Sequence, residues 1–355
     1  MSYHRTRILP DLVGPILVTG HTGFKGTWLT LLLEKMGVEV VGFSLLPEKD
    51  SLFERVGRAG AIREVFADIR DYRSLDAYIN SVKPSAIIHM AAQPLVLESY
   101  RIPKDTFDVN VMGTVNLLDS AFNCDSIQAI VVVTTDKVYR NNNSGRAFIE
   151  SDPLAGKDPY SASKVGTEAA IAAWQQIQNI SGGPKVVAVR AGNVIGGGDW
   201  GHNRLLPDII RSFISEEKMV IRNPGSTRPW QHVLDPLSGY LSTLEAVLND
   251  LKISSINFGP DTNSLPVRDV VKVAVKTWGR ETNIELDESL TISATEAISL
   301  DLNPDFAKHA LGWGAFWSQE DAVISTVQWW DKVLNKKIAP KEACLDDLNQ
   351  IMFKE

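Results

Sequence analysis

The sequence predicts an α/β protein built on a doubly wound parallel sheet, with a smaller, discontinuous α/β lobe. Short β-branched runs alternate with amphipathic segments through the first half of the chain, which is the pattern of consecutive βαβ units. A Gly-rich turn follows the first of these runs. Beyond residue 190 the chain changes to clusters of Gly, Asn, Pro and Trp, which are typical of structured loops that hold a ligand.

Five short apolar runs are the predicted strands. They lie at 16–19, 38–43, 86–89, 129–133 and 185–189. Three helices are predicted between them, because apolar residues recur there at helical spacing. The first follows the Gly-rich turn and stops at Gly37, a suitable left-handed cap. The second runs from 71 to about 82, and a longer one from about 104 to 122.

Composition excludes several classes of partner. The formal net charge of -7 leaves no basic field, so we expect neither a nucleic acid nor a membrane as partner. Cys124 and Cys344 are too few for a disulfide framework or a zinc site, which fits a reducing compartment. Residues 1–15 lack the apolar stretch of a signal peptide, and no window approaches a membrane span. We therefore expect a cytoplasmic protein.

A G-x-x-G-x-x-G spacing opens the first predicted helix. In the string LVTGHTGFKG, Gly20, Gly23 and Gly26 directly follow the first strand. Small residues let the backbone approach a pyrophosphate, and the helix N-terminus adds N–H donors and the positive end of a dipole. We interpret the turn as the dinucleotide site of a Rossmann-type domain, the simpler alternative being a tight turn without a ligand.

The end of the second predicted strand bears on the choice of dinucleotide. Ser44 and Leu45 stand where an acid would bind the adenosine ribose, and no Arg is present there to hold a 2′-phosphate. NAD is therefore expected over NADP. Asp68 and Ile69 follow a later strand-like stretch and are candidates to face the adenine, while Asp68 as the N-terminal cap of a helix is an equal alternative.

Domain boundaries follow from this placement of the cofactor. Residues 1–189, with a return near 232–262, are expected to form the NAD-binding Rossmann domain. Residues 190–231 and 263–355 are expected to form the substrate lobe, because the ligand-binding type of loop begins there.

Tyr160 and Lys164 in DPYSASK give the strongest catalytic signal. They are four residues apart, so they share one face of a helix. Lys164 and a nicotinamide cation would stabilise a phenolate and bring the pKa of Tyr160 below its usual value of about 10, as a base at neutral pH requires. Thr135 precedes them in the chain and offers a third polar group, the alternative being a strand-end Thr that bonds backbone groups.

The order of these motifs resembles the extended short-chain dehydrogenase/reductase family. The resemblance implies that Tyr160 is the base, that Lys164 holds the nicotinamide ribose, and that the Thr135 hydroxyl binds the sugar oxygen to be oxidised. Asp136 and Lys137 then distinguish between reactions, because the elimination of water needs a proton for the departing hydroxyl. Asp136 is the candidate acid. Lys137 has two open roles, as a base or as a cation that stabilises an enolate.

More closely, the chain is similar to the CDP-glucose 4,6-dehydratases over nearly its whole length. The matching strings are TGHTGFKG, HMAAQPLV, NVMGT, TTDKVY, DPYSASK, RAGNVIGGGDW, RPWQHVLDPLSGYL, NFGP and LGWGAFWSQEDAV. The resemblance implies a hydro-lyase that uses NAD: hydride leaves C4 of CDP-glucose, water leaves across C5 and C6, and hydride returns to C6. The product would be CDP-4-keto-6-deoxyglucose, within deoxysugar and O-antigen or lipopolysaccharide biosynthesis.

The same resemblance implies roles for further residues. Pyrophosphate contacts are expected from His21, Thr22, Phe24 and Lys25, nicotinamide contacts from Ala91, Ala92 and Gln93, substrate contacts from Asn193, and contacts with the CDP pyrophosphate from Arg204 and Arg228. A guanidinium matches phosphate oxygens in paired hydrogen bonds, whereas the alternative for a loop Arg is a solvated surface charge. His232 has two open roles, substrate contact or structural packing, and no metal site is expected.

Some segments depart from the family pattern or have a second interpretation. Leu97 replaces an expected Arg, and residues 142–148 replace a Trp-rich stretch, which leaves the exact nucleotide and sugar open. Asn110 would support the catalytic helix, the alternative being a solvated polar residue. A homodimer or homotetramer is expected through a helix face of Phe107, Val111, Val115 and Leu118, which fits packing on the sheet equally well.

Two other functions remain alternatives. One is another NAD(P)-dependent epimerase, dehydratase or reductase of nucleotide sugars. The other is a non-catalytic protein that binds a nucleotide sugar. Retention of Thr135, Tyr160 and Lys164 together argues for chemistry.

Overall fold

The computed structural model describes residues 12–142, 145–221, 223–280, 282–287 and 300–353. Its strands are β1 Ile16–Thr19, β2 Val40–Ser44, β3 Arg63–Phe66, β4 Ala86–His89, β5 Ala129–Val133, β6 Lys185–Ala191, β7 Asn193–Ile195, β8 Met219–Ile221, β9 Thr227–Arg228, β10 Trp230–His232, β11 Ser255–Phe258, β12 Leu265–Pro266 and β13 Ile284–Leu286.

Thirteen helical segments in the described residues pack around these strands. They are α1 Phe24–Lys35, α2 Leu52–Arg55, α3 Tyr72–Val82, α4 Val96–Arg101, α5 Pro103–Phe107, α6 Gly113–Phe122, α7 Pro159–Ser181, α8 Leu205–Ser215, α9 Leu234–Leu248, α10 Val267–Trp278, α11 Asp305–Leu311, α12 Gln319–Leu334 and α13 Pro340–Phe353. A π-helical turn, Asp108–Met112, joins α5 to α6, and a 3₁₀ turn, Asp136–Val138, follows β5.

Seven strands form one parallel sheet in the order β3-β2-β1-β4-β5-β6-β11. The chain builds outward from β1 in one direction and from β4 in the other, so the strand order reverses between them. A crevice opens beyond the carboxyl ends of strands at such a reversal, and ligands bind there. The predicted Rossmann-type, doubly wound parallel sheet is confirmed.

Successive residues of β1 face opposite cores. Ile16 and Val18 pack with α1 and α9 on one side, and Leu17 packs with α3, α6 and α7 on the other. Every residue of β1, β4 and β5 is buried. Helices on both faces therefore explain why these strands are continuous apolar runs in the sequence.

The predicted elements agree closely with the observed ones near β1. Strands at 16–19, 86–89 and 129–133 have the predicted bounds, and Gly37 has the left-handed φ of +74° that was expected of a cap. The second strand begins at Val40 rather than at 38, because Val38 N–H bonds the carbonyl of Leu33 and so belongs to the turn that closes α1. The fifth predicted strand, 185–189, is β6, which continues two residues further to Ala191.

Elements at the edges of the sheet were harder to predict. Strand β3 has a half-exposed, charged sequence and pairs only with β2, so it lacks the apolar run of a central strand. The long helix predicted at 104–122 is present from Pro103, and it contains the π-helical turn, which no periodic pattern indicated. Strand β11 returns to the sheet within the predicted segment 232–262.

Beyond β6 the described chain forms a smaller lobe of paired short strands and helices. The pairs are β7 with β10, β8 with β13, and β9 with β12. Both cysteines are buried. No helix in the described ranges is long and apolar enough to cross a membrane. The small α/β lobe was predicted correctly, while the domain boundaries stay a prediction.

Candidate active site

Polar side chains converge where β1, β4 and β5 end. His89, the last residue of β4, is fully enclosed, and its ring bonds the hydroxyls of Thr19 at 2.7 Å and Thr114 at 3.1 Å. Burial lowers the pKa of His89 to about 3, so the ring is neutral and serves as a link between two strands and α6. Sequence analysis missed this residue, because a lone His in an apolar run carries no catalytic signal.

The Gly-rich turn has room for backbone only. Gly20 has a φ of +73°, and a Cβ there would lie 2.8 Å from the amide nitrogen of Ala91. A Cβ on Gly26 would lie 2.7 Å from Cα of His21. Gly23 is the N-cap of α1 and supplies no capping side chain, so N–H groups of the first helical turn face the crevice. This backbone cradle fits the pyrophosphate of a dinucleotide.

The side chains of the turn leave in different directions. His21 is fully buried, and its Nε2 lies 2.7 Å from a Glu64 carboxylate oxygen beneath Gly42. Thr22 bonds the Ser44 hydroxyl at 2.7 Å, so it reaches the end of β2. Phe24 lies under Gly196 of the small lobe.

Lys25 extends away from the turn, toward the catalytic helix. Its Nζ lies 3.3 Å from the Tyr240 hydroxyl. Burial, with the nearby charges of Lys164 and Arg204, lowers the pKa of Lys25 to about 8. Lys25, which was expected at the pyrophosphate, therefore also interacts electrostatically with the catalytic cluster, by which we mean Thr135, Asp136, Tyr160 and Lys164.

Asn110 connects the segment after β4, where the nicotinamide is predicted to bind, to α7. It is 1% exposed, so the alternative of a solvated residue is wrong. Its amide accepts from the backbone N–H of Gln93 at 2.8 Å and donates to the Ser163 hydroxyl at 2.8 Å. The π-helical turn aims it inward, so Asn110 holds the segment that contains Ala91, Ala92 and Gln93 directly against the catalytic helix.

Asp68 lies just after β3, on the side of the crevice where the adenine is predicted to bind. Arg70 donates to both of its carboxylate oxygens, which lowers the pKa of Asp68. The N-cap of α3 is Asp71, so the alternative that Asp68 caps this helix is wrong. Ile69 is buried against Gly113, and a Cβ on that glycine would lie 2.6 Å from it.

Thr135, Asp136 and Lys137 form one tight turn after β5. Thr135 is the N-cap of the 3₁₀ turn: its hydroxyl donates to Asp136 at 2.9 Å and accepts from Lys137 N–H at 3.3 Å. Burial raises the pKa of Asp136, against the lowering effect of Lys137, Thr135 and Arg228. The direction is the one that a protonated acid requires.

Tyr160 and Lys164 lie one turn apart on α7, with their side chains buried beside Thr135. Burial raises the pKa of Tyr160 to about 12, while contacts with Thr135 and Arg204 lower it. The expected lowering below the usual value is therefore absent in the protein alone. Lys164 donates to the Val133 carbonyl at 3.2 Å, and burial lowers its pKa to about 8.

The predicted substrate cations reach the same cluster from the small lobe. Arg204 acts electrostatically on Tyr160, and Arg228 acts on Asp136. Asn193 begins β7, opposite Trp230 in the register of the β7–β10 pair. His232 is fully buried, and its ring centroid lies 4.1 Å from that of Trp317. These surroundings favour structural packing over substrate contact as its role.

A buried ion pair behind the site was not predicted. Arg190 of β6 bonds both carboxylate oxygens of Glu168, at 2.8 and 2.9 Å, and donates to the Tyr139 hydroxyl at 2.7 Å. Thr134 donates to the same carboxylate at 2.6 Å. The pair thus joins α7 to the turn that carries Asp136. The only sequence signal was an Arg inside an apolar strand.

The two departures from the family pattern have different surroundings. Leu97 is 64% exposed on α4. Within 142–148, residues 143 and 144 lie outside the described residues. Phe148 is buried, and its ring stacks on Tyr139 with centroids 4.9 Å apart, so this part of the segment supports the ion pair from outside.

Comparison with known proteins agrees with this geometry. Residues 16–259 match the model of the NAD dependent epimerase/dehydratase family. A CDP-glucose 4,6-dehydratase from Salmonella typhimurium is 41% identical over 323 residues, which cover 88% of this chain and 89% of the relative.

Solved structures show the same fold. A UDP-glucose 4-epimerase from Stenotrophomonas maltophila with bound NAD has a TM-score of 0.79 and 21% sequence identity. The match covers 92% of this chain and 100% of the epimerase chain. A dTDP-glucose 4,6-dehydratase from Streptomyces venezuelae with NAD has a TM-score of 0.78 and 23% sequence identity. The match covers 92% of this chain and 99% of the dehydratase chain.

Breaking the buried ion pair should cost far more stability than breaking a surface pair. Arg190→Leu leaves Glu168 charged without its partner, so we expect a loss of about 3–5 kcal/mol in the free energy of unfolding, measured by urea titration. The control is Arg101→Leu, which removes an exposed pair with Glu98 and should cost less than about 1 kcal/mol. Equal losses in the two variants would contradict the assignment.

The titration of Lys164 should appear in stability. The unfolded chain keeps a pKa near 10.5 and the folded chain has about 8, so wild-type stability rises with pH between these values. Below about pH 8 the full cost of the buried ammonium is present, and Lys164→Met should be more stable by roughly 2–3 kcal/mol. Urea unfolding at about pH 7 and pH 10 should show this advantage shrinking. The exposed Lys341→Met is the control, and a pH-independent advantage would refute the prediction.

Proposed function

This chain belongs to the NAD-dependent epimerase/dehydratase family, and from that premise we propose that it is a CDP-glucose 4,6-dehydratase. It would convert CDP-D-glucose into CDP-4-keto-6-deoxy-D-glucose and water. The observation that carries the proposal is the turn Thr135-Asp136-Lys137, which adds an acid and an amine to the oxidising pair. Its Thr135 and Asp136 are buried beside Tyr160. The Salmonella relative confirms the resemblance that the motifs predicted.

The residues of the crevice fit NAD. The glycine cradle and the uncapped start of α1 suit its pyrophosphate. Lys164 would hold the nicotinamide ribose. Ser44 and Thr22 offer hydroxyls instead of an acid at the adenosine end, and Asp68 is paired with Arg70. When bound, NAD would accept hydride from C4 of the sugar and return it to C6, so it would be regenerated in each turnover.

Oxidation at C4 would begin at Tyr160. Its phenolate would take the proton of the C4 hydroxyl, which the Thr135 hydroxyl would hold in place. Burial alone opposes this ionisation, since it raises the pKa of Tyr160 to about 12. The base would therefore be active only when cationic groups of the complete site surround it.

Elimination would use the next two residues. With a ketone at C4, Lys137 would accept the C5 proton, and Asp136 would give its proton to the C6 hydroxyl. The C6–O bond breaks, water leaves, and a C5–C6 double bond forms. Burial raises the pKa of Asp136, which supports its role as the acid.

The diphosphate of the substrate would bind Arg204 and Arg228. Both enter the catalytic cluster from the small lobe, and a guanidinium can bond two phosphate oxygens at once. The cytidine itself is inferred from the relative.

A homodimer or homotetramer is proposed on a face of α5, the π-helical turn and α7. Phe107, Met112, Ile177 and Ile180 are 40–75% exposed there. Leu118, one of the residues considered for this face, is fully buried with Leu117 against the sheet, so for Leu118 the alternative of packing on the sheet holds. A cytoplasmic location remains a prediction.

The activity is tested with NAD and, separately, CDP-, TDP-, GDP- and UDP-glucose. We expect the alkali-induced ultraviolet absorbance of a 4-keto-6-deoxy sugar, and loss of one water by mass, from CDP-glucose. Tyr160→Phe should abolish the product, and Asp136→Asn should slow it by about 10²–10⁴-fold, the usual worth of a general acid. Tyr72→Phe and Asp119→Asn are matched controls, since they alter an exposed Tyr–Asp pair.

Other outcomes would select the alternatives. Product from another nucleotide alone would overturn the substrate and keep the mechanism. An epimerase or reductase would tolerate Asp136→Asn, and a non-catalytic binding protein would form no product while still binding the nucleotide sugar.

A further inference from the structure

The segment 196–204, GGGDWGHNR, carries Arg204 into the catalytic cluster. The chemistry above uses only its last residue. The remaining residues make a series of contacts that hold the segment between the two lobes, and these contacts bear on how Arg204 is presented.

The start of the segment is wedged between three helices. Trp28 of α1 donates from its indole nitrogen to the Gly197 carbonyl at 3.0 Å. A Cβ on Gly197 would collide with the ring of Trp329 of α12, and one on Gly198 would collide with Leu52 of α2. Backbone here therefore packs directly against side chains, which leaves the segment no room to shift.

Two guanidinium groups lie close to the ring of Trp200. Arg55 of α2 is 5.2 Å from the ring centroid and Arg211 of α8 is 5.0 Å from it. Arg55 also lies 5.4 Å from the ring of Trp330, which is itself 4.9 Å from Trp200. Arg211 also donates to the carbonyl of Trp200 at 3.1 Å, so it contacts both the ring and the backbone of this residue.

The far end of the segment orients Arg204 itself. Asp199 is 5% exposed and bonds Arg204 Nη1 at 3.1 Å. Its other oxygen accepts the N–H of Gly201 at 3.2 Å. A side chain held before the ligand arrives loses less conformational freedom when it binds. Without these contacts Arg204, whose side chain is 34% exposed, would be a mobile surface cation.

We propose that Trp200, held by a clamp of Arg55 and Arg211, is a positioning residue that fixes Arg204 for the diphosphate of the nucleotide sugar. The inference rests on the phosphate role of Arg204 in the proposed function. Arg55 is also anchored by its Nε to the Asp50 carbonyl at 2.8 Å, in the loop that follows β2. The clamp thus connects the cofactor side of the crevice to the cation that holds the substrate.

A double-mutant cycle tests whether the clamp acts through Arg204. Arg55→Met and Trp200→Leu are made in the wild type and in Arg204→Met. Calorimetry then gives the dissociation constants of CDP, UDP, GDP, TDP and inorganic pyrophosphate. We expect each clamp variant to weaken the best-bound probe by about tenfold in the wild type, the scale of a partly desolvated cation–π contact. In the Arg204→Met background we expect a change below about twofold, because the effects are not additive.

Three controls separate positioning from loss of structure. Arg280→Met removes an Arg–Trp contact of 5.4 Å elsewhere and should leave binding unchanged. Urea unfolding checks that each variant is folded. If Trp200→Leu does not fold, the test is made with Arg55→Met alone. Arg55→Lys keeps a cation over the ring and should restore part of the affinity.

The outcomes have distinct meanings. Wild-type affinity in a folded Arg55→Met, or an equal loss with and without Arg204, would overturn the proposal. Wild-type protein that binds none of the probes would refute the phosphate role of Arg204 and the clamp with it. Tight binding of a diphosphate other than CDP, with the predicted coupling, would keep the clamp and overturn only the proposed substrate.

Discussion

Desolvation at the carboxyl edge of the sheet is the constraint on which the site depends. Asp136, Tyr160 and Lys164 are each at most 8% exposed, and burial shifts each pKa toward the neutral form. The shift prepares Asp136 to donate a proton, but it opposes ionisation of Tyr160. The same environment thus favours the proposed elimination acid and restrains the proposed oxidising base, so in this proposal the base gains its function only from added positive charge. Burying these groups costs stability, which the apolar sheet beneath them offsets.

Rigid supports hold these groups in place. The Glu168–Arg190 pair ties the catalytic helix to β6 and, through Tyr139, to the turn of Asp136. Asn110 ties the same helix to Gln93, in the segment that follows β4. These bonds are made by fully enclosed side chains, so each partner would be left unsatisfied if the other moved. A site assembled from three elements therefore behaves as one unit.

Sequence analysis predicted the sheet well because strands buried on both faces leave continuous apolar runs. It brought Thr135, Tyr160 and Lys164 together because their motifs occur in a fixed order. It could not place the side chain of Lys25, since a residue in the first turn of a helix between the two lobes can point to either of them. Arg190 was missed for a related reason: its partner Glu168 is distant in the chain, and pairing across elements is a property of the tertiary fold alone.

The central claim is a closed redox cycle on one sugar, with the elimination inserted between its halves. It is tested most directly with CDP-glucose that carries deuterium at C4, mixed with unlabelled substrate, followed by mass spectrometry and NMR of the product. The account predicts loss of water with the deuterium retained at C6 of the same molecule. Deuterium lost to solvent, found on unlabelled molecules, or present in a product that keeps its C6 hydroxyl would contradict it.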